Sequence, residues 1–199
     1  MTGKQPMIKG ILFDKDGTLF DFNATWGAWT RQMLQSEVGD DPGRLSDLAG
    51  AMGYDLDAER FVPGSIVIAA TVSETADAML TVLDNVKKPD LIDRMKGAAA
   101  QVQQVPVTHL PSFFDQLLAD GLKLGIATND AEETAIAYLR TAGVVDHFHF
   151  IAGYDSGFGC KPAAGQLIAF CDHVSLAPHQ CLMVGDSTHD LHAGRAAGM

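Results

Sequence analysis

Two aspartates, Asp14 and Asp16, stand two positions apart directly after an apolar run over residues 8–13. In an extended chain alternate side chains point the same way, so both carboxylates face one side. Such a pair suits work on a phosphate ester. One carboxylate attacks phosphorus, while the other, protonated, donates to the departing oxygen and then activates water. Gly17 lets the chain turn away without a side chain crowding the phosphate. A carboxylate approaching a phosphate dianion meets like-charge repulsion, which a hard dication held by oxygen ligands removes. Asp14 and Asp186 are the candidate ligands for magnesium. Lys161 is a candidate point charge for the remaining phosphate oxygens. The Thr128 hydroxyl and the Asn129 main-chain N–H are candidate phosphate donors. Asp190 is placed either to orient waters on the metal or to pair with Lys161.

These residues need a frame that brings four distant segments together. The runs over 8–13, 122–127, 147–152 and 181–184 are short, apolar and bounded by polar turns, and they read as buried strands. Helical patterns lie between them. Glu132 and Glu133 open one that stops at Gly143, with acid at the start and glycine at the end. Pro162 is expected as the first residue of another, running through Leu167, Ile168 and Phe170. Strands alternating with helices predict an α/β fold built on a doubly wound, Rossmann-like parallel sheet. In such sheets ligands bind beyond the carboxyl ends of the strands, which is where Asp14, Thr128 and Asp186 fall.

Residues 21–106 read differently. Phe22, Trp26, Trp29 and Met33 share one helical face, and Leu45, Leu48, Ala49 and Met52 another. Met79, Leu83 and Val86, then Leu91, Met95, Ala98 and Val102, complete the pattern. It predicts an inserted all-α cap domain, with 1–20 and 107–199 forming the catalytic core. The aromatic and methionine stripes are expected to be its hydrophobic interior. Trp26, Arg31, Glu59, Arg60 and Lys87 are the insert's candidates for substrate contact.

Bulk composition narrows the function classes. With 47% hydrophobic and 20% charged residues the chain reads as globular. A net charge of -11, from 14 basic and 25 acidic side chains, gives no basic footprint for nucleic acid or an anionic membrane. Cys160, Cys171 and Cys181 are odd in number and lack metal-binding spacing, which favours a reducing, cytoplasmic setting. Neither residues 1–9 nor apolar stretches such as 66–70 make a leader or a membrane span. His147 with His149, and His189 with His192, are spaced to share a metal, but no third ligand lies near either pair, so they read as surface or core histidines.

Asp14-Lys15-Asp16-Gly17-Thr18-Leu19 resembles the first motif of the haloacid dehalogenase superfamily. Ala127-Thr128-Asn129 is similar to its second motif, Lys161-Pro162 to its third, and Gly185-Asp186-Ser187-Thr188-His189-Asp190 to its fourth. Any one alone also reads as a turn, a helix cap or a solvated lysine. All four stand in the superfamily's order across nearly the whole chain. The resemblance implies Asp14 as nucleophile and Asp16 as general acid/base and, through its main-chain carbonyl, a metal ligand. It implies Thr128 and Asn129 as phosphate binders, Lys161 as charge stabiliser, and Asp186 as a magnesium ligand supported by Asp190. The insert resembles the superfamily's mobile C1-type cap, which closes over substrate.

Within the superfamily the chain is most similar to phosphoglycolate phosphatase-like members. This implies a magnesium-dependent phosphatase of a small phosphate monoester working through an aspartyl-phosphate. A sugar phosphomutase and a catalytically silent binding domain are the alternatives. A dehalogenase has no use for Asp16, and a P-type ATPase carries threonine there. The chain stops at Met199, where superfamily members run on into another strand, so strand 181–184 is expected at a sheet edge. Neither oligomeric state nor the particular ester is legible.

Overall fold

The structure, a computed structural model, describes residues 7–68, 70–99 and 102–199. Residues 1–6 of the amino-terminal stretch 1–9, and Ala69 within the apolar stretch 66–70, lie outside them. In chain order the elements are β1 (Gly10–Phe13), α1 (Phe22–Val38), α2 (Pro42–Met52), β2 (Tyr54–Asp55), β3 (Arg60–Phe61), α3 (Val72–Leu80) and α4 (Lys88–Ala99). There follow α5 (Leu110–Ala119), β4 (Lys123–Ala127), α6 (Glu132–Thr141), β5 (Phe150–Ala152), α7 (Gly165–Val174), β6 (Cys181–Val184) and α8 (Thr188–Ala197). The chain divides into two compact units, residues 1–20 with 106–199, and residues 21–105.

The first unit is an α/β layer structure. Its sheet has the order β5-β4-β1-β6, with each neighbouring pair parallel. Successive strand residues face opposite sides, and the core divides accordingly. Phe13, Leu124 and Ile126 pack with Leu110 and Phe114 of α5 and Leu139 of α6. Leu12 and Ala127 pack with Leu167 and Phe170 of α7 and Ala193 of α8. Each fully buried Leu or Phe contributes roughly 1.5–3 kcal/mol of hydrophobic stabilisation. Gly125 makes room for this second layer, since a Cβ there would stand 2.7 Å from the Phe170 ring. Strand β6 lies at the sheet edge, and its Leu182 is exposed.

The first strand begins at Gly10 rather than residue 8, and two further expectations change in detail. Lys9 still hydrogen-bonds across to Gln180 and Lys123, so the first apolar run pairs over nearly its whole length. The third strand begins at Phe150 rather than residue 147, because Val145–His147 closes a 3-10 turn after α6 and the His147 N–H bonds to the Val144 carbonyl. Pro162 does not start a helix. The Lys161-Pro162 peptide is cis, and the Ala163 N–H closes a turn onto the Cys160 carbonyl at 3.0 Å, so α7 begins only at Gly165.

The second unit is mainly helical. Asp21 caps α1 by accepting from the Ala24 N–H at 2.8 Å, and Asp41 caps α2 through the Gly43 and Arg44 N–H groups. Thr71 and Glu74 form a capping box at α3. Met33, Leu34, Leu48, Met52, Met79, Leu91 and Met95 bury together as the interior. The unit is not purely α. Tyr54–Asp55 and Arg60–Phe61 pair as a two-residue antiparallel hairpin. Tyr54 and Phe61 turn into the core, and the Tyr54 hydroxyl donates to the Gly27 carbonyl at 2.7 Å. Arg31 donates to the Leu56 carbonyl and pairs with Glu59 at 3.6 Å, so two of the candidate substrate contacts also brace the hairpin. No helix among the described residues is long and apolar enough to cross a membrane.

Candidate active site

The carboxyl ends of β1, β4 and β6 and the turn before α7 converge on one cluster. Asp14 follows β1 and is nearly buried; Lys161 and Asp190 are buried beside it. The Lys161 Nζ donates to Asp14 Oδ1 at 2.7 Å and to Asp190 Oδ1 at 2.6 Å. Asp14, Asp186 and Asp190 each present a carboxylate oxygen within 4.8 Å of the others. Burial pushes the Asp14 carboxyl up to about 6, with Lys161 pulling against that and Asp190 adding to it. Burial alone would lower the Lys161 ammonium, but Asp14 and Asp190 outweigh it and hold it above the ordinary lysine range.

Local structure explains how each side chain is aimed. Asp190 is the third residue of α8, and its Oδ2 accepts from the Ser187 N–H at 3.0 Å and the Ser187 hydroxyl at 2.6 Å. Both of its oxygens are therefore engaged, one by the helix cap and one by Lys161. This leaves Asp190 a fixed partner of the lysine and a poorer metal ligand than Asp14, whose Oδ2 stands outside its bond to Lys161, or the exposed Asp186.

Thr128 directly follows β4, pairing its N–H with the Ala152 carbonyl at 3.0 Å and accepting the Asp130 N–H on its hydroxyl at 3.1 Å. The Asn129 side chain clamps the main chain of Lys161. Its Nδ2 donates to the Lys161 carbonyl at 2.9 Å, and its Oδ1 accepts the Lys161 N–H at 2.8 Å. Buried Gln166 ties the same segments together by donating to the Thr128 and Gly159 carbonyls. Asp16 turns its carboxylate toward the Lys15 ammonium.

Two glycines make the cluster possible. Gly185 lies so close to Asp190 that a Cβ would stand 2.2 Å from its Cγ. Gly17 has φ 81° and a Cβ there would stand 2.1 Å from Asp186 Oδ2. Gly17→Ala is therefore expected to displace Asp186 and to lower stability by about 2 kcal/mol, from left-handed backbone strain plus the clash. A shift in the denaturant midpoint checks this, and an unchanged midpoint would contradict the crowding.

The sequence scan missed Lys15, Asp130 and Gln166. Lys15 stands between the two strand-end aspartates and Asp130 directly follows Asn129, but Lys15 and Asp130 lie in segments far apart in the chain, so no local pattern announces their pairing. The first histidine pair is engaged within the sheet layer. His147 bonds to Asp115 at 3.1 Å and His149 accepts the Leu124 N–H at 3.3 Å.

The family model for haloacid dehalogenase-like hydrolases matches residues 11–199. The chain belongs to that family. It is 28% identical over 191 residues to a phosphoglycolate phosphatase from Nitrosospira multiformis, covering 96% of this chain and 80% of the relative. The phosphoglycolate phosphatase of Escherichia coli strain K12 is also 28% identical, over 201 residues, with 96% and 79% covered. Among solved structures, Rhodobacter sphaeroides CbbY in complex with phosphate superposes with a TM-score of 0.67 at 18% identity, covering 97% of this chain and 84% of that one. A likeness at that identity concerns the fold. As a haloacid dehalogenase-like hydrolase with phosphoglycolate phosphatases as relatives, the protein is a phosphatase, a hydrolase of phosphoric monoesters.

Proposed function

We propose that this phosphatase cleaves a small organic phosphate of the 2-phosphoglycolate class through a phosphorylated Asp14, with magnesium as cofactor. The observation that carries the reading is the shared ammonium: buried Lys161 bonds at once to buried Asp14 and Asp190, with exposed Asp186 alongside. Three carboxylates face this one ammonium, an excess of negative charge that fits a hard divalent cation. Asp14, the Asp16 main-chain carbonyl and Asp186 would hold magnesium, which when bound neutralises charge between carboxylate and phosphate.

The residues of the chain supply the rest. Oδ2 of Asp14 is the nucleophilic oxygen, and Lys161 fixes the carboxylate through Oδ1. The Thr128 hydroxyl and the Asn129 main-chain N–H bind phosphate oxygens, while the Asn129 side chain sets the height of the Lys161 segment. Asp16 protonates the departing oxygen and later takes a proton from water. Asp190 keeps Lys161 in place. The three free cysteines support a reducing, cytoplasmic setting.

A panel of metabolite phosphates that includes 2-phosphoglycolate, assayed with magnesium, is expected to give free phosphate from a small acid ester. Chelation with EDTA should abolish turnover and added magnesium restore it. Magnesium-independent release, or none across the panel, would overturn the reading. Isomerised sugar phosphate in place of free phosphate would move the protein to the phosphomutases.

A further inference from the structure

Lys15 has no part in the chemistry above, yet it is completely buried. Its ammonium donates to Asp16 Oδ2, lies 3.5 Å from Asp130 Oδ2 and sits 4.9 Å from the centroid of the Tyr138 ring. Burying a lysine costs several kcal/mol unless partners compensate it. Here two carboxylates and an aromatic face do so, from the turn after β1, the turn after β4, and α6. One of the two carboxylates belongs to the residue assigned the proton transfers. The Asp16 carboxylate is the nearer of the two, so Lys15 and Asp16 fix one another's position.

We propose that Lys15 is a positioning residue that holds the Asp16 carboxylate for proton transfer, with Asp130 and Tyr138 as the socket that holds Lys15. The inference rests on the phosphatase reading. In the first step Asp14 Oδ2 bonds to phosphorus, the ester P–O bond breaks, and the Asp16 proton passes to the departing oxygen. In the second, a water oxygen bonds to phosphorus, its proton passes to the Asp16 carboxylate, and the bond to Asp14 breaks. Both steps need Asp16 correctly aimed. A good leaving group relieves that need in the first step only.

The test uses full-length protein with Lys15→Met, which keeps an unbranched stem and removes the charge. Because that change leaves Asp130 as well as Asp16 without its cation, Lys15→Met/Asp130→Asn is made beside it as the variant in which Asp16 is the one acid of the socket that loses its partner. Phenyl phosphate and p-nitrophenyl phosphate are compared with magnesium present. Phenyl phosphate turnover is expected to fall about 10²-fold. With p-nitrophenyl phosphate, a burst near one equivalent of nitrophenol, larger than that of the wild type, should precede a slow steady state as phosphorylated Asp14 accumulates. Lys15→Arg should regain part of the lost rate. Equal losses on both esters without a larger burst, or no loss, would overturn the assignment and leave Lys15 as packing. If the wild type itself releases no phosphate from these esters or from 2-phosphoglycolate, the phosphatase reading fails instead.

Discussion

Asp14→Asn is expected to reduce turnover by about 10⁴-fold or more while the protein stays folded. An amide has the shape of the carboxylate and its Oδ1 can still accept from Lys161, which now bonds at 2.7 Å. It lacks the negative charge that makes the side chain a nucleophile and a ligand for a cation. The substitution also removes one of two buried acids crowded around the same ammonium, so the melting temperature should hold or rise. Phosphate release and thermal unfolding measured on one preparation separate the two effects. Activity close to that of the wild type would sink Asp14 as nucleophile.

Lys161→Met carries the second large effect, on stability and rate together. The ammonium is the cation bonded to both Asp14 and Asp190, and it is buried with them. Without it two acids face each other away from water, and the cost is expected at about 3–5 kcal/mol. Part of that cost is relieved if one of them takes up a proton, which would also silence Asp14 as a nucleophile. The rate should fall by about 10²–10³-fold through lost stabilisation of phosphate charge. Lys161→Met/Asp190→Asn removes the repulsion and is expected to recover most of the stability and none of the rate. Denaturant midpoints and initial rates on both variants decide it. Recovery of rate in the double variant would make Lys161 merely a counter-ion for Asp190.

Much of this fold was legible because its signals are local. The strands are apolar runs interrupted by polar turns, and the four that matter form the parallel sheet. The helices of the insert were visible from residues such as Met33, Leu48, Met79 and Leu91, each on the apolar face of its own helix, and these do bury together. The hairpin at Tyr54–Asp55 and Arg60–Phe61 was not. Two residues are too short to establish a period, and this pair is held by Tyr54 and Phe61 entering the helical interior. Pro162 misled for a related reason. Proline serves both a first helical turn and a tight turn, and the choice here accompanies the clamp of Asn129 on Lys161.

The sequence by itself determined which residue types were available for chemistry: paired acids after a strand, a hydroxyl and an amide after a second, an acid after a third, and a lysine in a loop. Residue type and the alternation of a strand are properties of short stretches, so they survive without a fold. Only the tertiary structure decided which oxygen of Asp14 meets Lys161, that Asp190 spends both of its oxygens on Ser187 and Lys161, and that Lys15 is buried between Asp16 and Asp130. Those pairings join residues up to 147 positions apart. They form because burial makes an unpaired charge costly, so each buried ammonium draws in whichever carboxylates the packed layers bring within reach.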